Sequence, residues 1–136
     1  MDFLKSMTIA ASGLRAQAGR MRIISENIAN ADSTPTSPNA DPYRRKVPSF
    51  VSEVDRAIGA NVVALGRTGV DSSAFRLKYE PGHPAADQNG NVKYPNVNPL
   101  VEMTDMREAQ RSYEANINII SATRRMLQRT IDILKA

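Results

Sequence analysis

The residues able to do chemistry are few. A single histidine, His83, stands between Gly82 and Pro84, and the chain has no cysteine. That inventory excludes disulfides, thiolate zinc sites, a cysteine nucleophile and any pair of histidine metal ligands. With no second histidine nearby, His83 reads as part of a rigid turn and not as a catalytic base. Glu102, Asp105 and Glu108 are spaced three apart, as carboxylate ligands on a helical face can be. No histidine accompanies them, and Arg107 and Arg111 stand close by, so the spacing predicts a solvated cluster of acids early in a helix. Asp87-Gln88-Asn89-Gly90-Asn91 has the look of a calcium loop, but its glycine is misplaced and Asn98 stands where a twelfth-position glutamate would; a hairpin turn is expected instead. Arg44-Arg45-Lys46 offers a binder for phosphate or an acidic patch, and reads first as a solvated surface loop. Arg124-Arg125 fits a wet helix face near a C-terminal dipole. Arg124 also shares a seven-residue series with Ile117 and Ile131, which leaves an ion pair across an interface as the alternative. This set predicts no enzyme, no cofactor, no metal and no small-molecule substrate.

Charge and composition narrow the partners. Eighteen basic and fourteen acidic side chains give 136 residues a formal charge of +4. The excess is spread thinly, with no basic or acidic tail, so nucleic acid is not an expected partner. Aromatics make up 5% and tryptophan is absent, which argues against a large globular core. No run approaches the ~20 apolar residues of a bilayer span.

The elements that must position these residues follow from periodicity. Asp2 can cap a helix in which Met7, Leu14, Met21 and Ile28 recur every seven residues, with Phe3, Ala10, Ile24 and Ala31 beside them. That is a coiled-coil-like seam, with Gln17 as its polar intruder. It should fade over Ala29–Thr34, ahead of Pro35. A second helix starts at Asn98-Pro99, a good cap followed by a proline suited to the first helical position. Its seam is Met106, Tyr113, Ile120, Leu127 and Leu134, joined by Met103, Ile117 and Ile131. Early acids and late bases match its dipole.

Between the helices, seven prolines from Pro35 to Pro95 exclude long helices. Val47–Val54 alternates as a strand does, Val62–Leu65 and Phe75–Tyr79 are short β-prone runs, and Asn89-Gly90 predicts a two-residue hairpin between Ala86-Asp87 and Val92–Tyr94. The expected fold is α+β and elongated: long N- and C-terminal helices paired as a coiled-coil-like unit, with a small central β-rich module. Its divisions are residues 1–34, 35–98 and 99–136. A helix of about 36 residues is ~54 Å long, whereas a compact globule of this size is roughly 37 Å across. The helices cannot be enclosed in such a globule. Two helices bury one seam each, so the flanking Ile9, Ile23, Ile119, Met126 and Ile133 are expected to stay partly wet, at ~1.5–3 kcal/mol forgone apiece. Packing between copies would recover that; folding back onto the strand module is the alternative.

The segment Ser12-Gly13-Leu14-Arg15-Ala16-Gln17, running into Ser25-Glu26-Asn27-Ile28-Ala29-Asn30-Ala31-Asp32-Ser33-Thr34, resembles the N-terminal signature of bacterial flagellar rod and hook proteins. Its signature residues here are Gly13, Leu14, Asn27, Asn30 and Thr34. Asp41–Lys46, Tyr79–Pro84, Val92–Pro99 and Ala109–Asn116 narrow the resemblance to the proximal rod of the flagellar basal body. The resemblance implies a structural subunit, exported by the flagellar type III apparatus without a cleaved signal peptide, that polymerises in the periplasm through its terminal helices. It would form part of a drive shaft and export channel. Partners would be other copies of itself, related rod proteins, the basal-body adaptor and the export apparatus. The assembly interface would comprise Met7, Leu14, Met21, Ile24, Ile28, Met106, Tyr113, Ile117, Ile120, Leu127, Ile131 and Leu134. Asn27 and Asn30 would cap the helix end, bond a neighbour, or both. A substoichiometric adaptor or export-associated binding module is the second reading, which subunit counting separates from the first.

Overall fold

The computed structural model describes residues 2–136. Two long helices bracket six short strands: α1 (Phe3–Ala29), β1 (Lys46–Val47), β2 (Phe50–Asp55), β3 (Ala60–Leu65), β4 (Gly69–Val70), β5 (Arg76–Tyr79), β6 (Asn91–Tyr94) and α2 (Pro99–Lys135). The fold is α+β, with the helices packed on each other and a small central set of antiparallel strand pairs. No described helix is long and apolar enough to cross a membrane.

Both helix starts follow their caps. Asp2 Oδ1 accepts the Lys5 N–H at 3.0 Å, and Asn98 Oδ1 accepts the Leu100 N–H at 3.1 Å. α1 ends where Asn30 turns its side chain back, Nδ2 donating to the Glu26 carbonyl at 2.9 Å and satisfying an acceptor the helix leaves free.

The strands pair as β1 with β4, β2 with β3, and β5 with β6. Two sequence expectations are corrected here. The run Val47–Val54 is not one strand: Val47 pairs with Gly69, whereas Phe50 opposite Leu65 opens the β2–β3 hairpin. Pro48 lies between them and cannot donate to a ladder. Nor is Asn89-Gly90 a two-residue hairpin, since the partner of Val92–Tyr94 is β5, with Arg76 opposite Tyr94. Of these two residues only Gly90 has positive φ, at 79°. The Asp87 carbonyl accepts the Gly90 N–H at 3.0 Å, while the Asp87 N–H donates to the Asn91 carbonyl at 2.9 Å. This is a three-residue turn closed by a glycine bulge, in which Asn89 never leaves the ordinary backbone region. The Asp87 carboxylate is used inside it, accepting the Asn89 and Asn91 N–H groups at 2.8 and 2.9 Å.

The chain divides into two compact units. The first comprises residues up to Met21, Ser49–Arg67 and Arg107–Ala136; the second comprises Arg22–Pro48 and Thr68–Met106. The second has a core of branched side chains, with Ile23, Ile24, Val92 and Val97 buried around Ala31, Ala85 and Pro95. Ile23, expected to remain wet, is 4% exposed because its own unit covers it. The first unit buries only small side chains: Ala10, Ser12, Ala16, Ala109 and Thr123. They let the helices approach closely. A Cβ on Gly13 would stand 2.9 Å from Asn116 Nδ2. Arg20 reaches Glu108 at 3.5 Å, so the two helices run antiparallel. Ser12 Oγ ties the hairpin on, accepting the Val63 N–H at 3.2 Å while donating to the Ile9 carbonyl at 2.6 Å.

Replacing Gly90 by alanine is expected to cost about 2 kcal/mol or more. It combines the ~1–2 kcal/mol left-handed penalty with a Cβ 2.8 Å from the Tyr79 ring. Gly59, also at positive φ but in open space, should lose less on the same change. Denaturant unfolding of both variants checks the order.

Candidate functional site

The signature residue Asn27 sits at the centre of a buried polar hub in the second unit. Fully buried, it uses every hydrogen-bonding position of its amide. Nδ2 donates to the Lys46 carbonyl at 2.8 Å and to Glu102 Oε2 at 3.2 Å. Oδ1 accepts the Lys46 N–H at 2.9 Å and the Tyr43 hydroxyl at 2.8 Å. One side chain thus joins α1, the segment entering β1 and the first turn of α2.

Glu102 is as buried as Asn27 and is held by Arg45 through Nε. Arg45 also lies 3.7 Å from Asp71 and 3.6 Å from Asp105. Its backbone is fixed twice: its N–H donates to Asn96 Oδ1 at 2.8 Å, and its carbonyl accepts the Asp71 N–H at 2.9 Å. A buried carboxylate is tolerated only when paired and hydrogen-bonded, and Glu102 has both kinds of partner. Hydrogen bonds from Ser73, followed by the charges of Arg45 and Arg44, hold the Asp71 carboxyl below its usual range. Burial, then the charges of Glu26 and Glu102, push the Tyr43 phenol up to about 12.

These contacts correct two readings of the sequence. Glu102, Asp105 and Glu108 are not a solvated cluster, since Glu102 is sealed inside and Glu108 turns to Arg20 in the first unit. Arg44-Arg45-Lys46 is not a free basic loop either. Arg44 stacks 4.1 Å over the Phe75 ring and donates to the Asp71 and Ser73 carbonyls, Arg45 holds Glu102, and Lys46 pairs with Glu26. A signal was present in the sequence: Asn27 falls on the apolar stripe with Ile24 and Ala31, and Glu102 on that of Met106 and Ala109. A polar residue on the buried stripe of each helix is the mark of a matched pair. Tyr43 and Asn96 carry no comparable periodic signal.

The other signature residues lie outside this hub. Asn30 bonds the last turn of α1, and Thr34 Oγ1 lies 3.3 Å from His83 Nε2. His83 Nδ1 accepts the Ala85 N–H at 3.0 Å, so its ring serves the turn.

The seam residues fall into three states. Ile24 is buried within the second unit. Met7, Leu14, Met21, Ile28, Met106, Tyr113 and Ile120 are half-buried. Ile117, Leu127, Ile131 and Leu134 are exposed, Leu134 to 81%. Gln17 adds an anomaly to α1: its Oε1 is buried with no hydrogen-bond partner. Among the described ion pairs, Arg124 and Arg125 have no part.

Comparison with known proteins assigns the arrangement to a family. Residues 7–35 match the family model described as "Flagella basal body rod protein", and residues 88–133 match "Flagellar basal body rod FlgEFG protein C-terminal". The flagellar basal-body rod protein FlgC of Agrobacterium fabrum is 57% identical over 137 residues, covering 100% of this chain and 99% of the relative. The chain belongs to the FlgC family of rod proteins. FlgC of Salmonella typhimurium is 40% identical over 98% of both chains, and FlgC of Aquifex aeolicus 36% identical over 99% of both. In this FlgC-family chain, Asn27 and Glu102 lie inside the two matched segments.

Two outcomes follow for the hub. Asn27→Ala would leave Tyr43, Lys46 and Glu102 short of partners, and at ~1–3 kcal/mol per stranded buried group the loss should exceed about 3 kcal/mol in denaturant unfolding. Tyr43 binds its proton more tightly folded than unfolded, so its contribution is complete below pH 10 and is lost as pH rises through about 12. Phenolate absorbance should show a tyrosine titrating at about 12, and Tyr43→Phe should remove that transition.

Proposed function

We propose that the chain is a structural subunit of the proximal rod, polymerising through its terminal helices into part of the torque-transmitting shaft and its export channel. Residues 1–34 and 99–136 then form the assembly domain, and residues 35–98 the module outside it. The subunit passes through the flagellar type III apparatus with α1 uncleaved, and in the periplasm meets copies of itself, related rod proteins and the basal-body adaptor.

One observation carries this reading: the first unit has the surface of an interface and the core of a fragment. Among its described residues it buries nothing larger than Thr123, while thirteen large apolar side chains remain exposed. Each would gain ~1.5–3 kcal/mol by full burial, so a unit that leaves this many wet is suited to being covered by other chains. α2 makes the point most clearly. Thr123 is its last buried residue, and the following stretch is exposed for ~18 Å at 1.5 Å per residue. Met7, Leu14, Met21, Tyr113, Ile117, Ile120, Leu127, Ile131 and Leu134 are the side chains that neighbours would cover, with Ile28 and Met106 beside them. Ile24 already serves its own unit's core.

Leu14→Asp or Ile120→Asp is expected to abolish incorporation into purified basal bodies, and with it motility, whereas His83→Gln should leave both intact. Immunoblots of basal bodies and of the periplasmic fraction check that the variants are exported and yet unassembled. Intact basal bodies carrying the Leu14→Asp chain would overturn the proposal.

A further inference from the structure

The first unit is charged as unusually as it is packed. It holds eleven basic and six acidic side chains, and among the described ion pairs only Arg20 of the eleven takes part. Four of the unpaired bases, Arg107, Arg111, Arg125 and Arg129, are exposed and fall on one line of α2. Arg107 and Arg125 are eighteen residues apart, as are Arg111 and Arg129. At 3.6 residues per turn that is five whole turns, so each pair superposes down the axis. Arg111 follows Arg107 by four residues, which puts both pairs on the same face, with Asn118 midway. The stripe runs for about 33 Å. It lies across the helix from Ala109, Asn116 and Ile120, the positions turned toward α1, and Met126 and Ile133 border it as exposed apolar side chains.

Like charges four apart on a helix repel, and Glu114 and Asp132, each three residues after an arginine on the same face, offset only part of that charge. A second copy has few uncommitted acids to offer the arginines. Of the eight acids in the second unit, seven are already in ion pairs and Asp87 is spent on its own turn. In the first unit, Asp2 and Asp55 cap local backbone and Glu108 holds Arg20. Only Glu53, Glu114 and Asp132 remain; Asp132 already accepts Gln128 Nε2 at 2.9 Å, and like Glu114 it sits on α2 beside the stripe itself, where another copy would bring its arginines with it.

We infer that the Arg107–Arg129 stripe is a docking surface for an acidic, partly apolar face of a different protein chain, and is not a contact between copies of this one. The inference rests on the rod-subunit reading and deepens it: the apolar seams serve assembly at large, and the arginine stripe selects an unlike neighbour through charge.

The test uses full-length chain in purified basal bodies, with a photo-cross-linking residue at Asn118. The expected product is a cross-linked peptide from another basal-body subunit, rich in Asp or Glu, identified by mass spectrometry. Cross-links only to peptides of this chain, or none, would overturn the inference. In parallel, Arg111→Glu with Arg125→Glu should reduce incorporation by about tenfold or more, and the Arg→Lys pair should restore it to within about twofold. Should the glutamate pair lose its helical circular dichroism, the Arg→Gln pair replaces it, with a smaller loss expected in the same direction. Unchanged incorporation of the charge-altered chain counts against the stripe alone. Absence of the wild-type chain from basal bodies would instead remove the rod reading beneath it.

Discussion

The structure turns on a single saturated amide. Asn27 has four hydrogen-bonding positions, all four are used, and none of its partners lies on its own helix. Its carboxylate partner Glu102 is fully buried, so the two helices can meet at this level in only one register. A one-residue slip of either would strand a charge in a water-free interior. A single polar residue in an apolar seam commonly trades stability for register in this way. Arg45 completes the constraint, because its guanidinium holds Glu102 while its backbone is pinned to Asn96 and Asp71. The segment leaving α1, the start of α2 and the strand pair between them are thereby mutually fixed.

The two units solve stability differently. The second has branched aliphatics, a satisfied polar centre and seven of its eight acids in ion pairs, three of them with Arg45. The first is held by close helix approach, with Gly13 against Asn116, and by one hairpin tied to α1 through Ser12. Small residues at a helix contact permit proximity but remove little apolar area from water. A large amount of apolar surface in the first unit therefore stays exposed.

Much of this could be read from the sequence, and the failures have identifiable causes. Helix boundaries were legible because Asp2, Asn98 and Pro99 act within a few residues of themselves. Strand pairing was not, because it joins distant segments. Val47 and Phe50 look continuous in sequence yet pair with different partners on either side of Pro48. The family segments were legible; the reason for Asn27 among them was not. Its partners come from Tyr43, Lys46 and Glu102, and only the last shows itself through a break in an apolar stripe. Reading Arg44-Arg45-Lys46 and the three acids as separate solvated groups failed for one reason: charge patterns in a linear chain do not reveal which opposite charges the fold brings together.

The β2–β3 hairpin ends in open space. Nothing stands within 4 Å of where a side chain on Gly59 would begin, and below the tip six residue pairs zip the strands from Phe50 to Asp55. Chain length there is nearly free to change, since each doubling of a flexible loop adds only ~0.6 kcal/mol of closure entropy. Extra folded mass could be spliced into that tip while both units keep their internal contacts. The hairpin is therefore a port for growth, where a subunit of this architecture can gain bulk or an inserted label without renegotiating either core.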